Sequence, residues 1–285
     1  MVETWLVLAL LSAFFHGAAG LTNRFVLRAR SADWEAYTFG YHALALLFFL
    51  PLLATEWAPP SSAEAWGLAL LASVVWAAIG FVGFKSVHFA DVTLRTPISR
   101  SRSLWTLLAA ALLLGESITQ GKLLGAALII AGVVLVSIKV GRVGGLDDPG
   151  VRLTLLSAFL FGFVIVLDKA ASAHFPTSLY GFLQYALPAV WIALVIPQRM
   201  DRFTRLLRGP SGKFLVLGAL FDAAYYYLLI AALKLADAGL VAPAAELYLV
   251  VTAVGGIVLL RERTNLARRL VGTAVTLAGV LVLGA

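Results

Sequence analysis

Residues 90–102 read Ala-Asp-Val-Thr-Leu-Arg-Thr-Pro-Ile-Ser-Arg-Ser-Arg, and residues 236–248 read Ala-Asp-Ala-Gly-Leu-Val-Ala-Pro-Ala-Ala-Glu-Leu-Tyr. The Ala-Asp pair, a leucine (Leu94, Leu240) and a proline (Pro97, Pro243) keep their spacing across an offset of about 146 residues. Matching landmarks extend outward from these stretches. Leu10-Leu11-Ser12-Ala13-Phe14 with Gly17 returns as Leu155-Leu156-Ser157-Ala158-Phe159 with Gly162. Glu116 returns as Glu262, and Gly125 with Ala131-Gly132-Val133 returns as Gly272 with Ala278-Gly279-Val280. Because the landmarks keep their order, the chain is two copies of one unit, dividing at 1–145 and 146–285.

Composition says what the unit is. Of 285 residues, 61% are hydrophobic and 13% charged, with a mean hydropathy of +0.94; a soluble domain has about a quarter of its residues charged. Roughly 20 apolar residues cross a bilayer. Breaking the hydropathy at charges and Pro/Gly clusters gives ten candidate spans, at 4–23, 34–55, 64–85, 92–114, 121–139, 151–168, 177–197, 213–234, 239–260 and 266–284. Each copy holds five, an odd number, so the second must sit inverted in the membrane. The expected fold is therefore an all-α polytopic membrane protein, with ten transmembrane helices in two inverted five-helix repeats. This excludes a soluble enzyme and a nucleic-acid binder, and the formal charge of +7 is read as topology and anionic-lipid contact. Without cysteine there are no disulfides or thiolate ligands. Met1-Val2-Glu3-Thr4 lacks a basic segment, so the first apolar run reads as a span and not as a signal peptide.

Positive charge checks the parity. Arg24, Arg28 and Arg30; Lys85; Lys139, Arg142 and Arg152; Arg199, Arg202, Arg205, Arg208 and Lys213; and Arg261, Arg263, Arg268 and Arg269 all fall in alternate connections, whereas the others hold only Lys122, Lys169 and Lys234. The rich side is cytoplasmic by the positive-inside rule, which places both termini outside.

Leu-Leu-Leu-Gly-Glu116, then Gly121-Lys122 and Gly125-Ala-Ala-Leu-Ile-Ile-Ala-Gly132-Val, with Leu260-Arg261-Glu262, Gly272 and Ala278-Gly279-Val280 in the second copy, resemble the EamA-like ten-helix branch of the drug/metabolite transporter superfamily. The resemblance covers essentially the whole chain. It implies a secondary transporter of small metabolites, often amino acids or related solutes, with no ATPase of its own. It also implies a central cavity lined mainly by the third, fourth, eighth and ninth spans, with the fifth and tenth peripheral. Cytoplasmic termini are usual in this branch. The second connection here, residues 55–65, has no basic residue where relatives often carry several, and the charge bias is retained as the basis for orientation.

An ionisable residue near the bilayer midplane costs at least ~2.5–3.5 kcal/mol on insertion scales, so each one is a functional candidate. The fourth span has Arg95, Arg100 and Arg102. Arg95, Ser99, Arg102 and Thr106 share one helical face, while Arg100 points roughly 160° away on a straight helix. Through the repeat, Arg100 aligns with Glu246 and Arg102 with Tyr248. Pro97 and Pro243 mark helix breaks at matching positions, a pointer to a transporter binding site. The expectation is that the fourth and ninth spans meet near the pseudo-two-fold axis with Glu246 facing an arginine. That pair either grips substrate or is a permanent salt bridge. Asp222 is a candidate proton acceptor or substrate ligand, alternatively a hydrogen-bonded structural carboxylate. Trp76, at the equivalent place in the third span, and Tyr226 in the Tyr225-Tyr226-Tyr227 run, of which at most one or two can line a cavity, are aromatic candidates, although such residues are more often core or lipid-facing. His16 and His42 are proton-relay candidates, although lone intramembrane histidines more often bridge helices; Tyr180 and Gln184 are weaker. Asp91 and Asp237 are expected to cap helix starts, and Glu116 and Glu262 to satisfy short-loop backbone. The pairs Gly125/Gly132 and Gly272/Gly279 mark smooth faces, within one protomer or between two.

The function expected is alternating-access transport, driven by the solute gradient or by protons, of a small solute bearing an anionic group. Amino acids and organic acids fit a basic centre. The alternative is a flippase for a phosphate-bearing lipid or lipid-linked precursor, gripped by arginine. The four histidines, His16, His42, His88 and His174, show no metal-ligand spacing, and no phosphate loop or nucleophile motif is present, so no enzyme activity, metal or cofactor is expected. Expected partners are a small-molecule substrate and membrane lipids, with no nucleic acid, in a monomer or homodimer. Compact loops without a targeting extension suggest a plasma (bacterial inner) membrane.

Overall fold

The computed structural model describes residues 3–27, 33–54, 56–89, 99, 101–137, 149–248, 250–251 and 266–283. Among them every regular element is a helix: α1 (Thr4–Leu27), α2 (Trp34–Leu53), α3 (Ala63–Phe89), α4 (Arg102–Leu114), α5 (Gln120–Ser137), α6 (Pro149–Ser172), α7 (Thr177–Val195), α8 (Arg199–Arg208), α9 (Gly212–Leu233), α10 (Ala238–Ala245) and α11 (Leu266–Leu283). Stretches of six of these (α1, α2, α3, α6, α7 and α9) are long and apolar enough to cross a membrane, and α4 and α5 contain shorter apolar stretches. Hydrocarbon offers no partner to a backbone or hydroxyl group, so each must be satisfied internally. Hydroxyls accordingly return to their own helices: Ser12 donates to the Ala9 carbonyl at 3.0 Å, Thr22 to Ala19 at 2.7 Å, Thr154 to Gly150 at 2.7 Å and Thr276 to Gly272 at 2.8 Å.

The helix pairs exchange under the sequence repeat, in which α1, α2, α3, α4 and α5 correspond to α6, α7, α9, α10 and α11. α1 packs on α9 as α6 packs on α3, α4 packs on α6 as α10 packs on α1, and α2–α7, α4–α10 and α5–α11 pair across the axis. The glycine faces belong to α5–α11. A Cβ on Gly132 would lie 2.4 Å from Thr276 Oγ1 and 2.5 Å from the Gly272 carbonyl oxygen, and one on Gly279 would lie 2.7 Å from the Ile129 nitrogen. These faces are thus used up inside the protomer.

Three features depart from the sequence expectations. First, the sixth span does not end at Asp168; α6 continues to Ser172, with Asp168 wholly buried. The charge is tolerated because neighbouring helices surround it with donors. Second, residues 198–212 are not a plain connection but contain α8, which hydropathy misses because its apolar residues occupy one face only: Phe203 packs edge-on against Phe39 at 5.9 Å. Arg202 ties α8 to α2, with 2.6 Å from its Nε to Asp33 Oδ2 and 2.7 Å from Nη2 to Glu35 Oε2. Burial pushes the Asp33 carboxyl up, but the hydrogen bonds from Arg202 and the Ala36 amide outweigh this and hold it below the usual carboxylate value.

Third, Asp237 makes no capping hydrogen bond to α10. The cap comes from Glu116, at the far end of α4, which accepts from the amides of Ala238 and Gly239 at 2.8 and 3.0 Å. Asp237 instead receives the Lys122 ammonium, whose hydrogen bond holds its carboxyl below the usual value. Lys169 completes the cluster at 3.2 Å from Glu116 Oε1 and 3.7 Å from Asp237 Oδ1. The two halves are thereby joined at one end of the bundle, by Glu116 and Lys122 from the first and Lys169 and Asp237 from the second. Asp91 and Glu262, the repeat equivalents, lie outside the described residues.

Candidate functional site

The ninth span is interrupted where its sequence carries charge. After Pro243, α10 tightens: Glu246 and Leu247 are turn residues whose amides bond to the carbonyls of Pro243 and Ala244, three residues back. The turn places the Glu246 carboxylate, 4% exposed, against the Arg102 guanidinium, and Arg102 Nε donates to Glu246 Oε1. Among the described residues, Arg102 is the arginine of the fourth span that meets Glu246. Arg95, Pro97 and Arg100 lie outside the described residues.

Arg102 is also held by aromatic faces. Its guanidinium carbon lies 4.2 Å from the Phe161 ring centroid and 5.2 Å from that of Tyr248, a cation–π arrangement whose strength rises when desolvated. The repeat produces this geometry twice. Phe161 is the equivalent of His16 and Tyr248 the equivalent of Arg102, and Tyr248 stands edge-on to His16 at 4.3 Å. Beneath each pair a glycine admits the neighbouring backbone: a Cβ on Gly162 would lie 2.9 Å from the Arg102 carbonyl oxygen, and one on Gly17 would lie 2.8 Å from that of Tyr248.

These groups surround a constricted cavity lined by His16, Arg102, Thr106, Phe161, Tyr225 and Glu246, among others, with space for roughly one water-sized sphere. Asp222 stands behind His16, its Oδ1 at 3.6 Å from the Nδ1, and its other oxygen accepts the Tyr185 hydroxyl at 2.7 Å. Tyr248, Asp222, Trp76, Tyr226 and Ser99 are not among the residues lining this cavity. Tyr248, Asp222 and Trp76 touch residues that do, Trp76 edge-on to Phe161 at 5.4 Å. His42 Nδ1 bonds the Thr38 carbonyl of its own helix at 2.8 Å, with its ring 5.9 Å from Tyr185. Gln184 donates to the Ala69 carbonyl at 3.0 Å.

Trp76 and Tyr226 belong to a second polar node, around Asp168. The Asp168 carboxylate accepts the Tyr180 hydroxyl at 2.7 Å and the Trp76 indole N–H at 3.1 Å, and Tyr226 packs edge-on to Trp76 at 5.6 Å. Sequence reasoning missed Asp168 because it placed the residue at a helix end. It also missed Phe161 and Tyr185, which carry no charge and belong to no motif that singles them out. The repeat carried the signal for two of them: Asp168 aligns with Asn23, which accepts the Tyr37 hydroxyl as Asp168 accepts that of Tyr180, and Phe161 aligns with His16.

Comparison with known proteins agrees with this architecture. No curated protein matches the chain. A solved crystal structure superposes over 100% of this chain and 99% of its own, with a TM-score of 0.79 at 16% identity, which shows a shared fold. The profile of the EamA-like transporter family matches twice, over residues 3–138 and 148–285. An all-helical bundle whose halves exchange contacts, matched repeat by repeat, leaves one assignment: the chain belongs to the EamA-like transporter family, and is a membrane transporter of the drug/metabolite type.

Proposed function

We propose that the protein is a secondary transporter that moves a small solute with an anionic group, an amino acid or related metabolite, across the plasma membrane by alternating access. The observation that carries this is the buried Arg102–Glu246 pair, contributed by equivalent spans of the two halves at the cavity. An incoming carboxylate displaces Glu246 from the Arg102 guanidinium, which matches carboxylate geometry in a bidentate manner. The released Glu246 then meets the substrate amine or accepts a proton. Asp222, with His16 beside it, and His42 are further groups for proton coupling, while Trp76, Ser99, Tyr226 and Tyr248 serve the binding region once it opens. Arg100 joins Arg102 as an anion ligand, and Pro97 and Pro243 permit the two spans to bend.

A cavity with space for about one water is too small for an amino acid, so binding requires the helices around it to separate on one side, which supports alternating access. The two units, 1–145 and 146–285, both contribute helices to each side of the cavity, because their helices pack across from one unit to the other. The orientation proposed, with termini outside, gains support from the basic-poor side. All three of its lysines are already engaged: Lys122 by Asp237, Lys169 by Glu116, and Lys234 by the Phe175 carbonyl at 2.6 Å. Packing of the glycine faces within α5–α11 favours a monomer in the lipid bilayer over a homodimer.

The test is uptake of radiolabelled amino acids and organic acids into proteoliposomes, with and without a pH gradient. Accumulation of one class by the wild type, abolished in folded Arg102→Ala, is the expected result. Wild-type uptake by that variant overturns the site assignment. Failure of folded wild type to accumulate any solute, with head-group-dependent lipid movement instead, replaces solute transport by lipid flipping.

A further inference from the structure

The carboxylates nearest the cavity differ in their company. Glu246 faces the Arg102 guanidinium, and Asp222 faces the His16 ring. Asp168 is 0% exposed, and among the described residues no arginine, lysine or histidine lies within ion-pair distance of it. Its described partners are neutral donors: Tyr180 on Oδ1 at 2.7 Å, and Trp76 shared between Oδ1 at 3.3 Å and Oδ2 at 3.1 Å. A charge in such a place is costly unless it is paired. The ordinary escape is to bind a proton.

A neighbouring group supplies what the neutral acid needs. The Tyr226 hydroxyl is buried without a hydrogen bond of good geometry, and it lies beside this carboxyl. A buried hydroxyl left unpaired calls for an explanation. As an acid, Asp168 donates its new O–H to the Tyr226 oxygen; as a carboxylate, it accepts from the same hydroxyl. The pocket therefore satisfies both protonation states with small rotations, whereas the Trp76 and Tyr180 bonds persist in each. Phe161, Ile165 and Asp168 are spaced to share one face of α6, and the first two line the cavity, so Asp168 continues that face about one turn further on.

We propose that Asp168 is a proton-binding site of this transporter, set between α3, α6, α7 and α9, with Tyr226 as the partner of the protonated form. Among the described residues, α3 offers Trp76, α7 offers Tyr180 and Tyr185, and α9 offers Tyr225 and Tyr226 together with Asp222, whose two oxygens already face His16 and the Tyr185 hydroxyl. Arg102 of α4 is committed to Glu246, and Lys169 of α6 to Glu116. Proton binding stands apart from transport. Its use as the coupling step rests on the transport function proposed above, with protonation neutralising Asp168 in one access state and release restoring its charge in the other.

The experiment is infrared difference spectroscopy of the full-length protein in lipid during a pH titration, which needs no substrate. The expected result is a protonated-carboxyl band that is absent in Asp168→Asn and retained in Asp222→Asn. A band unchanged in Asp168→Asn overturns the proposal. Should Asp168→Asn fail to fold, Tyr226→Phe decides: the acid loses its acceptor, so the band moves to the frequency of a carboxyl with a free O–H, and an unshifted band overturns the proposal. The coupling role is read separately. Asp168→Asn is expected to lose the effect of a pH gradient on uptake while keeping substrate exchange, and a gradient effect retained in full overturns that role without touching the transport assignment.

Discussion

Arg102 combines an ion pair with two aromatic contacts, and the consequences of removing it depend on what is left behind. Truncating one partner of a buried pair leaves an uncompensated charge and costs ~3–5 kcal/mol, whereas removing both leaves none. Glu246→Ala and Arg102→Ala are each expected to lower thermal stability in detergent by that order. The double variant should lose less than the sum of the two, and strict additivity would show that they do not interact in the folded protein. Glu116 makes a second case. Ala238 and Gly239 donate to different oxygens of Glu116, so Glu116→Gln keeps an acceptor for one of the two amides and gives up the attraction to Lys169; it should be milder than Glu116→Ala, which abolishes the whole cap, worth ~1 kcal/mol. Denaturation midpoints of the two variants check the order.

At the scale of elements, α5 and α11 pack closely enough to leave no space for a side chain at Gly132. Because the atoms met are backbone and a short hydroxyl, the helices themselves must move apart. Gly132→Leu is expected to cost ~1–3 kcal/mol or more as overpacking and to reduce the folded yield on size-exclusion chromatography, without creating or removing a dimer. The tie between α8 and α2 has a pH sign. Since the Asp33 carboxyl is held below its usual value, its contribution is present above the unfolded carboxylate range and is lost as pH falls through the lower, folded value. Protection factors of the α8 amides, taken relative to the intrinsic exchange rate at each pH, should therefore be unchanged from neutral pH to the ordinary carboxylate range and fall only below it. Arg202→Ala should show the lowered protection already at neutral pH.

For the molecule as a whole, orientation is the property most open to a direct test, because the chain has no cysteine of its own. Ser61→Cys, in the exposed connection before α3, should react with a membrane-impermeant maleimide added outside intact cells, whereas Arg208→Cys, at the end of α8, should react only after permeabilisation. The reverse pattern would place the termini inside, as is usual for relatives. The same global symmetry explains why the site has two unequal halves. Each polar node holds a carboxylate, but Asp222 stands where the other repeat has the Trp76 indole and Asp168 where it has the Asn23 amide, so the two halves share a frame and differ in chemistry.

Much of this was legible in the chain. Apolar content and the order of repeated landmarks determined an all-helical membrane protein with an internal repeat, since hydrocarbon admits few other uses for such segments. Pro243 and Glu246 announced an interrupted, charged span because both are costly in a straight helix. Which arginine Glu246 would meet was beyond the sequence. Arg100 and Arg102 differ by less than one turn, and only the docking of α4 on α6, through Gly162, aims Arg102 at the cavity. The glycine faces, likewise, could have served a dimer until α11 was seen lying against α5. Asp168 escaped notice because hydropathy counts a charge as an end, whereas its burial depends on donors from Trp76 and Tyr180, the former far away in the chain. Periodicity and composition are local and survive in one dimension. The partner that makes a buried charge tolerable is a matter of packing, and the tertiary structure alone decided it.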